Sequence, residues 1–273
     1  MASGRRRERY TFGHKSGATT SYYASRTATS YAAFFLTNLN SDMSVLDCGC
    51  GPGSITISLA DAIKPGNVVG IDIGPEYVER AKSDAAEQGV SNVSFQEGSV
   101  YELPFPDGSF DAAFSHAVLT HLSEPVQALK EMYRVLKPGG VVGVRVISPQ
   151  EIIQEPQDPV MQRCRDLTHR LYRHNGGNPT IGKQVRPLLR EAGFSRVDLS
   201  VSYECFGNLE ATRNWAVRMA GTFTQPPVCD QLVELGWASQ ADLEEIASFW
   251  RAWGENPDAF CARTWREAVG WKE

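Results

Sequence analysis

The stretch Val45–Ser54, VLDCGCGPGS, decides the fold of this chain. It begins with mostly apolar residues, continues with three glycines separated by single residues, and leads into an apolar-periodic segment that begins at Ile55. This order is typical of a buried strand, a tight loop and a helix. Because glycine has no Cβ, a ligand can lie directly against the main chain of such a loop. The stretch therefore predicts a binding site for a nucleotide-like cofactor.

The composition is that of an ordinary globular protein. With 273 residues, 42% of them hydrophobic and 22% charged, the chain can form one large α/β domain, alone or with a cap. Its formal charge of −5 argues against a general nucleic-acid binder. No apolar run is long enough to span a membrane, and the first residues lack the apolar core of a signal peptide. The six cysteines show no metal-ligand spacing, so we expect a reduced, cytoplasmic protein without a metal site or membrane insertion.

Strands and helices are predicted to alternate around the glycine loop. The predicted strands are Val45–Asp47, Val68–Asp72, Val93–Gln96, Phe110–Ser115 and Val141–Ile147. The helices predicted between them are Ile55–Ile63, Pro75–Gln88 and Pro125–Leu136. Regular alternation of this kind predicts an α/β fold, with a mainly parallel sheet that is covered by helices on both faces.

The segments that flank this core predict further elements. Apolar and aromatic residues at helical spacing predict a helix over Tyr22–Leu39. Alternating apolar residues predict a strand over Phe194–Phe206, and several helices are predicted over Asn208–Gly270. The position of a last, antiparallel strand is left open by these patterns.

We divide the chain into three parts on this basis. An N-terminal lid segment covers 1–40, a core covers 41–206 with an insert at 150–180, and a helical C-terminal cap covers 207–273. All six tryptophans lie in the last part. They either pack its helices together or help to enclose an aromatic substrate.

The spacing of the glycines restricts the cofactor. Gly49, Gly51 and Gly53 form G-x-G-x-G followed by Ser54, whereas a dinucleotide fingerprint needs G-x-G-x-x-G or A. No phosphate-loop pattern is present either. Asp72 ends the second predicted strand, nineteen residues after Gly53. A carboxylate there can accept hydrogen bonds from both hydroxyls of a ribose, which favours a ribose-containing cofactor.

Four successive motifs resemble a known family. They are VLDCGCGPGS, VVGIDIG, GSVYELPFPDGSFDAAFSHAVLTHL and EMYRVLKPGGVVGV, within Val45–Ile147. In order and spacing they are similar to class I S-adenosylmethionine (SAM)-dependent methyltransferases, in particular to the small-molecule methyltransferases of ubiquinone and menaquinone biosynthesis (methyltransferase type 11). The resemblance implies SAM as the cofactor and a Rossmann-like, seven-strand-type sheet.

The resemblance also implies cofactor-binding residues at the carboxyl ends of the first four strands. They are Asp47, Gly49, Gly51, Gly53, Asp72, Ile73, Ser99, Val100, Ser115 and His116. By this resemblance the glycine loop would lie beside the methionine part of SAM, and Ile73 would pack on the adenine. Ser99 stands where the family often has an aspartate, so the contact to the adenine edge would come partly from the backbone of Val100.

Methyl transfer from a sulfonium mainly requires an aligned acceptor and a dry site. A base is needed only for an acceptor that loses a proton early, so no catalytic residue is assigned beyond the candidates His116 and His121. Arg26 either pairs with the SAM carboxylate or is an ordinary surface residue. It belongs to the predicted lid, which also contains Tyr10, His14, Tyr22 and Tyr23.

The acceptor is predicted only as a class. The Asp/Asn-Pro-Pro-Tyr/Phe stretch of base-amine methylating enzymes is replaced by Ser115–Val118, and no acidic cluster supplies a magnesium site. We therefore expect O-methylation of a small aromatic or hydrophobic molecule of secondary metabolism, and no nucleic-acid partner. The alternatives are C- or N-methylation, a SAM-binding enzyme that does not transfer methyl groups, such as a cyclase, and a nicotinamide oxidoreductase, which Ser54 disfavours.

Overall fold

The computed structural model describes Thr11 and residues 22–273. One mixed sheet runs through this part of the chain. Its strands are β1 (Ser44–Cys48), β2 (Asn67–Asp72), β3 (Val93–Glu97), β4 (Phe110–His116), β5 (Leu136–Ile147), β6 (Ile153–Glu155), β7 (Arg196–Phe206) and β8 (Phe260–Trp271). Tyr10 and His14, which were assigned to the predicted lid, lie outside the described residues.

The strand order makes the sheet parallel at one end and antiparallel at the other. Strands β3-β2-β1-β4-β5 are neighbours in that order, and all four pairs are parallel. Strand β8 lies between β5 and β7 and is antiparallel to both, while the short β6 pairs with the start of β8. The predicted α/β, Rossmann-like sheet is confirmed. Its parallel strands bring the carboxyl ends of β1, β2 and β4 to one edge.

Ten α-helices are assigned in the described residues. They are α1 (Ala28–Tyr31), α2 (Ala33–Leu36), α3 (Ser54–Ala62), α4 (Pro75–Glu87), α5 (Pro125–Val135), α6 (Pro159–His174), α7 (Val185–Ala192), α8 (Leu209–Thr224), α9 (Val228–Glu234) and α10 (Gln240–Gly254). Short 3-10 turns cover Leu119–His121 and Ile181–Gln184.

Two apolar cores cover the two faces of the sheet. Helices α5 and α7 bury Leu129 and Leu189 against one face. Helices α2, α3 and α4 bury Phe35, Leu59 and Val78 against the other. Because both faces are covered, the central strands are buried almost throughout, as expected for parallel strands.

Helices α6, α8, α9 and α10 form a third apolar cluster, which joins α6 to the helices of the predicted C-terminal cap. Trp215, Trp250 and Trp253 are buried in it together with Phe223 and Leu243. Aromatic packing of this kind accounts for part of the tryptophan content of the last third of the chain. The division of the chain at residues 40 and 206 stays a prediction.

Two predicted helical regions are wrong in part. We predicted only helices over Asn208–Gly270, but the end of this segment is a strand, because Phe260–Trp271 forms β8. This strand is buried on both faces yet carries Arg263 and Glu267, which neighbouring strands neutralise. Because of these charged residues, the sequence of β8 lacks the continuous apolar run that is typical of a central strand.

The single helix over Tyr22–Leu39 is also wrong, because the helical structure is interrupted at 25–27 and at Ala32, and α1 and α2 are four residues each. Thr27 begins α1 by accepting a hydrogen bond from the backbone N–H of Ser30 at 3.3 Å. Ala32, between the two helices, has a non-helical φ of −131°. The local capping hydrogen bond therefore determines where the helix begins, although the apolar spacing continues across this point.

Candidate functional site

A cavity of about 380 Å³ opens at the carboxyl ends of the parallel strands. One side, which we call the sheet half, is formed by the glycine loop and the ends of β2, β3 and β4. The other side, the cap half, is formed by α6, α8, α10 and β8. Its prominent side chains are Tyr172, Trp215, Arg218, Trp250, Arg263 and Trp265. The volume is within the range of small-molecule sites.

The three glycines of the loop share a backbone conformation but differ in their surroundings. All have positive φ, at 76° for Gly49, 53° for Gly51 and 82° for Gly53, a conformation that favours glycine. A Cβ on Gly51 would meet nothing within 4 Å, and Gly51 lines the cavity. A Cβ on Gly53 would come within 2.6 Å of the Cβ of Ala81. Gly53 thus permits close packing of the loop on α4 and does not line the cavity.

Asp72 fastens the end of β2 to the glycine loop. Its carboxylate accepts the backbone N–H of Gly51 at 2.8 Å and that of Gly74 at 2.9 Å. Burial raises the pKa of Asp72, and the N–H groups of Gly74, Gly51 and Ile73 offset part of that rise. A carboxylate offers about four acceptor positions, so room remains for a diol. The neighbouring Ile73 lines the cavity and is 74% exposed.

Asp47 is a buried carboxyl that also lines the cavity. It accepts a hydrogen bond from the hydroxyl of Thr56 at 2.6 Å. Burial raises the pKa of Asp47 to about 7; the Thr56 bond lowers it and the charge of Asp72 adds to the rise. No ion pair reaches Asp47 from the described residues. A cationic group in the cavity would stabilise its ionised form.

The remaining predicted cofactor residues divide between the cavity and the sheet. Ser99 and Val100 line the cavity, and the Ser99 hydroxyl accepts the N–H of Tyr101 at 3.2 Å. Ser115 is buried and donates to the carbonyl of Cys48 at 3.2 Å. Ser115 therefore joins β4 to β1 and is absent from the cavity lining, as is Gly53.

His116 ends β4 at the border between the two halves. Its ring is buried, 4.8 Å from the ring of Trp265 and 5.4 Å from that of Tyr31. Neither ring nitrogen has a hydrogen-bond partner among the described residues. Burial, together with Arg26, Arg145 and Arg263, holds the pKa of His116 well below its usual value. The imidazole is therefore neutral and a weak base.

His121, the second catalytic candidate, also lines the cavity. It lies on the 3-10 turn after β4, with its ring centroid 5.1 Å from that of Tyr172. The structure thus brings both predicted histidines to the same space. Their distances place His116 nearer to β8 and His121 nearer to α6.

The N-terminal segment contacts the glycine loop. Ser54 donates to the carbonyl of Tyr23 at 2.7 Å, and Arg26 is 8% exposed and lines the cavity. The Arg26 guanidinium carbon lies 4.7, 4.2 and 5.1 Å from the ring centres of Tyr22, Tyr23 and Tyr31. Arg26 is therefore a cavity residue and not an ordinary surface arginine.

Sequence reasoning missed the contribution of β8 and β7. Arg263 and Trp265 line the cavity, and Glu204 accepts from Arg263 at 3.0 Å and from the indole N–H of Trp265 at 3.3 Å. Every second residue from Arg263 to Glu267 is large or charged and buried. This period of two was the available signal for a strand that faces a site.

The fold and the cavity together define a Rossmann-like α/β protein with a cofactor site at the carboxyl ends of its parallel strands. The family described as "Methyltransferase domain" matches residues 39–193, more than half of the chain. The chain belongs to this methyltransferase family.

Relatives along most of the chain agree with this assignment. An uncharacterized methyltransferase of Schizosaccharomyces pombe is 31% identical over 244 residues, which are 86% of this chain and 86% of that protein. A probable methyltransferase of Aspergillus luteorubrus is 30% identical over 288 residues, covering 100% of both. The chain is a SAM-dependent methyltransferase, and the resemblance drawn from its motifs is confirmed.

A solved structure shows the same fold. The YcgJ protein of Bacillus subtilis superposes with a TM-score of 0.59 and 21% identity, covering 90% of this chain and 99% of that one. In the described part of this chain, no helix is long and apolar enough to cross a membrane. No three His, Cys, Asp or Glu side chains of the described residues gather where they could hold a metal ion.

Proposed function

We propose that the chain transfers the methyl group of SAM to an oxygen atom of a small aromatic or hydrophobic acceptor in the cap half of the cavity. The observation that carries this proposal is the continuity of the cavity. The glycine loop and the rings of Trp215, Trp250 and Trp265 line one space. SAM supplies a methyl group that is already activated on a sulfonium. The protein has to align the acceptor and exclude water.

The sheet half has the groups that SAM requires. The free acceptor positions of Asp72 would hold the ribose hydroxyls, and the exposed Ile73 would pack on the adenine. Gly51 leaves open space where a Cβ would project, so the cofactor would approach the main chain there. The buried Asp47 would face the positively charged amino group.

Arg26 would bind the carboxylate of SAM. Its position beside Tyr23, whose carbonyl is bonded to Ser54 at the start of α3, supports this assignment. No carboxylate of the described residues forms an ion pair with it. A charge-assisted bond to SAM would offset the cost of burying this guanidinium.

The cap half supports an oxygen nucleophile. Arg218 and Arg263 line it, and their positive charge favours the ionised form of a phenol or carboxylic acid. Such an acceptor would lose its proton without a strong base, which agrees with the depressed pKa of His116. We assign His116 to contact with SAM or the acceptor, and His121 remains the candidate for a base.

Product analysis tests the proposal. The purified chain is incubated with SAM and a panel of phenols, aromatic acids, anilines and activated aromatic carbons. Mass spectrometry records S-adenosylhomocysteine (SAH) and a product that has gained one CH₂. We expect O-methylated products, with the methylated atom located by NMR. Methylation only at nitrogen or carbon would contradict the oxygen assignment. Tight SAM binding without SAH formation from any acceptor would favour a SAM-binding enzyme of another class, such as a cyclase.

A further inference from the structure

The two halves of the cavity differ in charge. The only acidic residues among its described lining residues are Asp47 and Asp72, both in the sheet half. Four arginines line the same cavity: Arg26, Arg165, Arg218 and Arg263. Arg26 lies beside the glycine loop, whereas Arg165, Arg218 and Arg263 lie on α6, α8 and β8, so positive charge accumulates in the cap half, where the acceptor would bind.

Three of these arginines already have an assigned partner. Arg263 forms an ion pair with Glu204 at 3.0 Å. Arg165 donates to the side-chain oxygen of Gln154 at 2.8 Å. Arg26, beside the glycine loop, is assigned above to the SAM carboxylate. Gln154 is neutral, so it binds Arg165 without neutralising it, and Arg218 is the lining arginine that has no assigned partner of either kind among the described residues.

Arg218 has no carboxylate partner among the described residues. Its guanidinium carbon lies 3.9 Å from the ring centre of Tyr22 and 5.2 Å from that of Trp215. One of its nitrogens, Nη1, is buried without a hydrogen-bond partner in the described part of the chain. A half-buried guanidinium that is only partly solvated and not paired is costly unless an anion reaches it.

The carboxylate of Glu204, whose charge reaches Arg218, is fully engaged. Glu204 accepts from the hydroxyls of Tyr22 and Tyr31, from Arg263 and from the indole of Trp265. Burial alone would raise the pKa of Glu204, but Arg263, the hydroxyls of Tyr22 and Tyr31, and the charge of Arg218 lower it to about 2. Glu204 is therefore ionised at neutral pH and attracts Arg218, but its oxygens already accept from four donors and form no ion pair with Arg218.

We propose that the methyl acceptor is an aromatic carboxylate whose anionic group binds Arg218, with its ring against Trp215 and Trp265. This inference rests on the proposed function, because it gives the charge and class of the acceptor in the same cavity. Arg218 and Trp215 are three residues apart on α8 and so share one face of that helix. The ring centres of Trp215 and Trp265 lie 5.0 and 5.1 Å from the guanidinium carbon of Arg263. The two rings therefore offer apolar surface beside the positive charge.

Two pairs of probes test this assignment by calorimetry. Salicylate is compared with the uncharged salicylamide, and 1-hydroxy-2-naphthoate with its amide, on protein saturated with SAH and on protein without it. We expect at least one carboxylate to bind about tenfold or more tightly than its amide, since a hydrogen bond to a charged group contributes about that much. Equal binding within both pairs, or no binding of either carboxylate, would overturn the proposal.

Variants locate the anion. Arg218→Gln should bring the carboxylate and amide affinities within about twofold of each other, and Arg218→Lys should retain part of the preference. Arg213→Gln is the matched control, because Arg213 lies on the same helix, is exposed and pairs with Glu255 at 2.7 Å. An unchanged preference in Arg218→Gln would contradict the assignment.

SAH binding separates this inference from the proposed function. All three variants should bind SAH as the wild type does, which also shows that they are folded. If the wild-type chain does not bind SAH, the proposed function is wrong. The comparison of carboxylate with amide on protein without SAH still decides the charge of the acceptor.

Discussion

The sheet half and the cap half of the cavity are built from different kinds of groups. The sheet half consists of main-chain groups and two carboxyls, Asp47 and Asp72, from short stretches at the ends of β1 and β2. The cap half consists of large side chains, such as Arg218 and Trp265, that come from distant segments. Under the proposed function, the methyl donor would meet a local site built largely from the backbone. The acceptor would meet a surface that only the tertiary fold assembles.

The largest expected effect in this comparison follows from removing Asp72. Asp72→Ala removes the proposed ribose contact and the carboxylate that holds Gly51 and Gly74. We expect the affinity for SAM to fall by about 100-fold, because two charged hydrogen bonds are lost. Calorimetry with SAM measures it, and Asp61→Ala, an exposed carboxylate paired with Lys64, is the control. Unchanged affinity in Asp72→Ala would refute the ribose assignment.

A smaller effect should appear as a pH dependence of SAM binding. Burial raises the pKa of Asp47 to about 7, and in the proposed site only its ionised form would pair with the amino group of SAM. We expect SAM affinity to fall about tenfold from pH 8 to pH 6, as the carboxyl becomes protonated. Titration calorimetry across this range checks the slope. Asp47→Asn should bind weakly at every pH, and a slope retained in that variant would contradict the assignment.

The same carboxyl should affect stability with the opposite trend. Because the pKa of Asp47 is raised above its value in the unfolded chain, its contribution to stability is present below about pH 4 and is lost as the pH rises through about 7. Asp47→Asn should therefore raise the free energy of unfolding of the ligand-free protein at pH 8, by up to ~4 kcal/mol, and much less at pH 4. Urea denaturation at both pH values measures this difference. A loss of stability at pH 8 would contradict it.

The smallest effect concerns Ile73. Its side chain is 74% exposed, so truncation removes little packing from the protein itself. We expect Ile73→Ala to weaken SAM binding by about tenfold or less, because the proposed contact buries only part of one aliphatic side chain. The melting temperature of the ligand-free protein should not change. A large drop in that temperature would show that Ile73 supports the fold instead of the adenine.

The donor site was predictable because its signals are local. Glycine spacing and one carboxyl at a strand end pointed to Gly51 and Asp72, the family resemblance added Asp47, and all three line the cavity. Gly53 and Ser115 were also predicted to bind the cofactor, although in the structure they contact packed neighbours. A motif identifies the loop, but it does not say which of its residues face the ligand.

The acceptor site was not predictable for the opposite reason. Arg218 and Trp265 are ordinary residues in their own segments, and they line one cavity because β8 lies between β5 and β7. That entry depends on buried charges that are neutralised across strands, as Glu267 is by Arg145 at 3.1 Å. The partners lie 122 positions apart for Arg145 and Glu267 and 59 apart for Arg263 and Glu204, which periodicity within one segment cannot detect.

The pairing of β7 with β8 also bears on how such an enzyme could acquire new acceptors. Phe206 and Cys261 are partners in neighbouring strands, so the helices α8, α9 and α10 leave and re-enter the sheet at adjacent points. A segment with adjacent ends can be lengthened, shortened or exchanged with little strain on the framework that holds it. The donor site and the sheet could therefore persist while the intervening helices are replaced. This makes the segment between Phe206 and Cys261 a natural unit for grafting one substrate preference onto another member of the family.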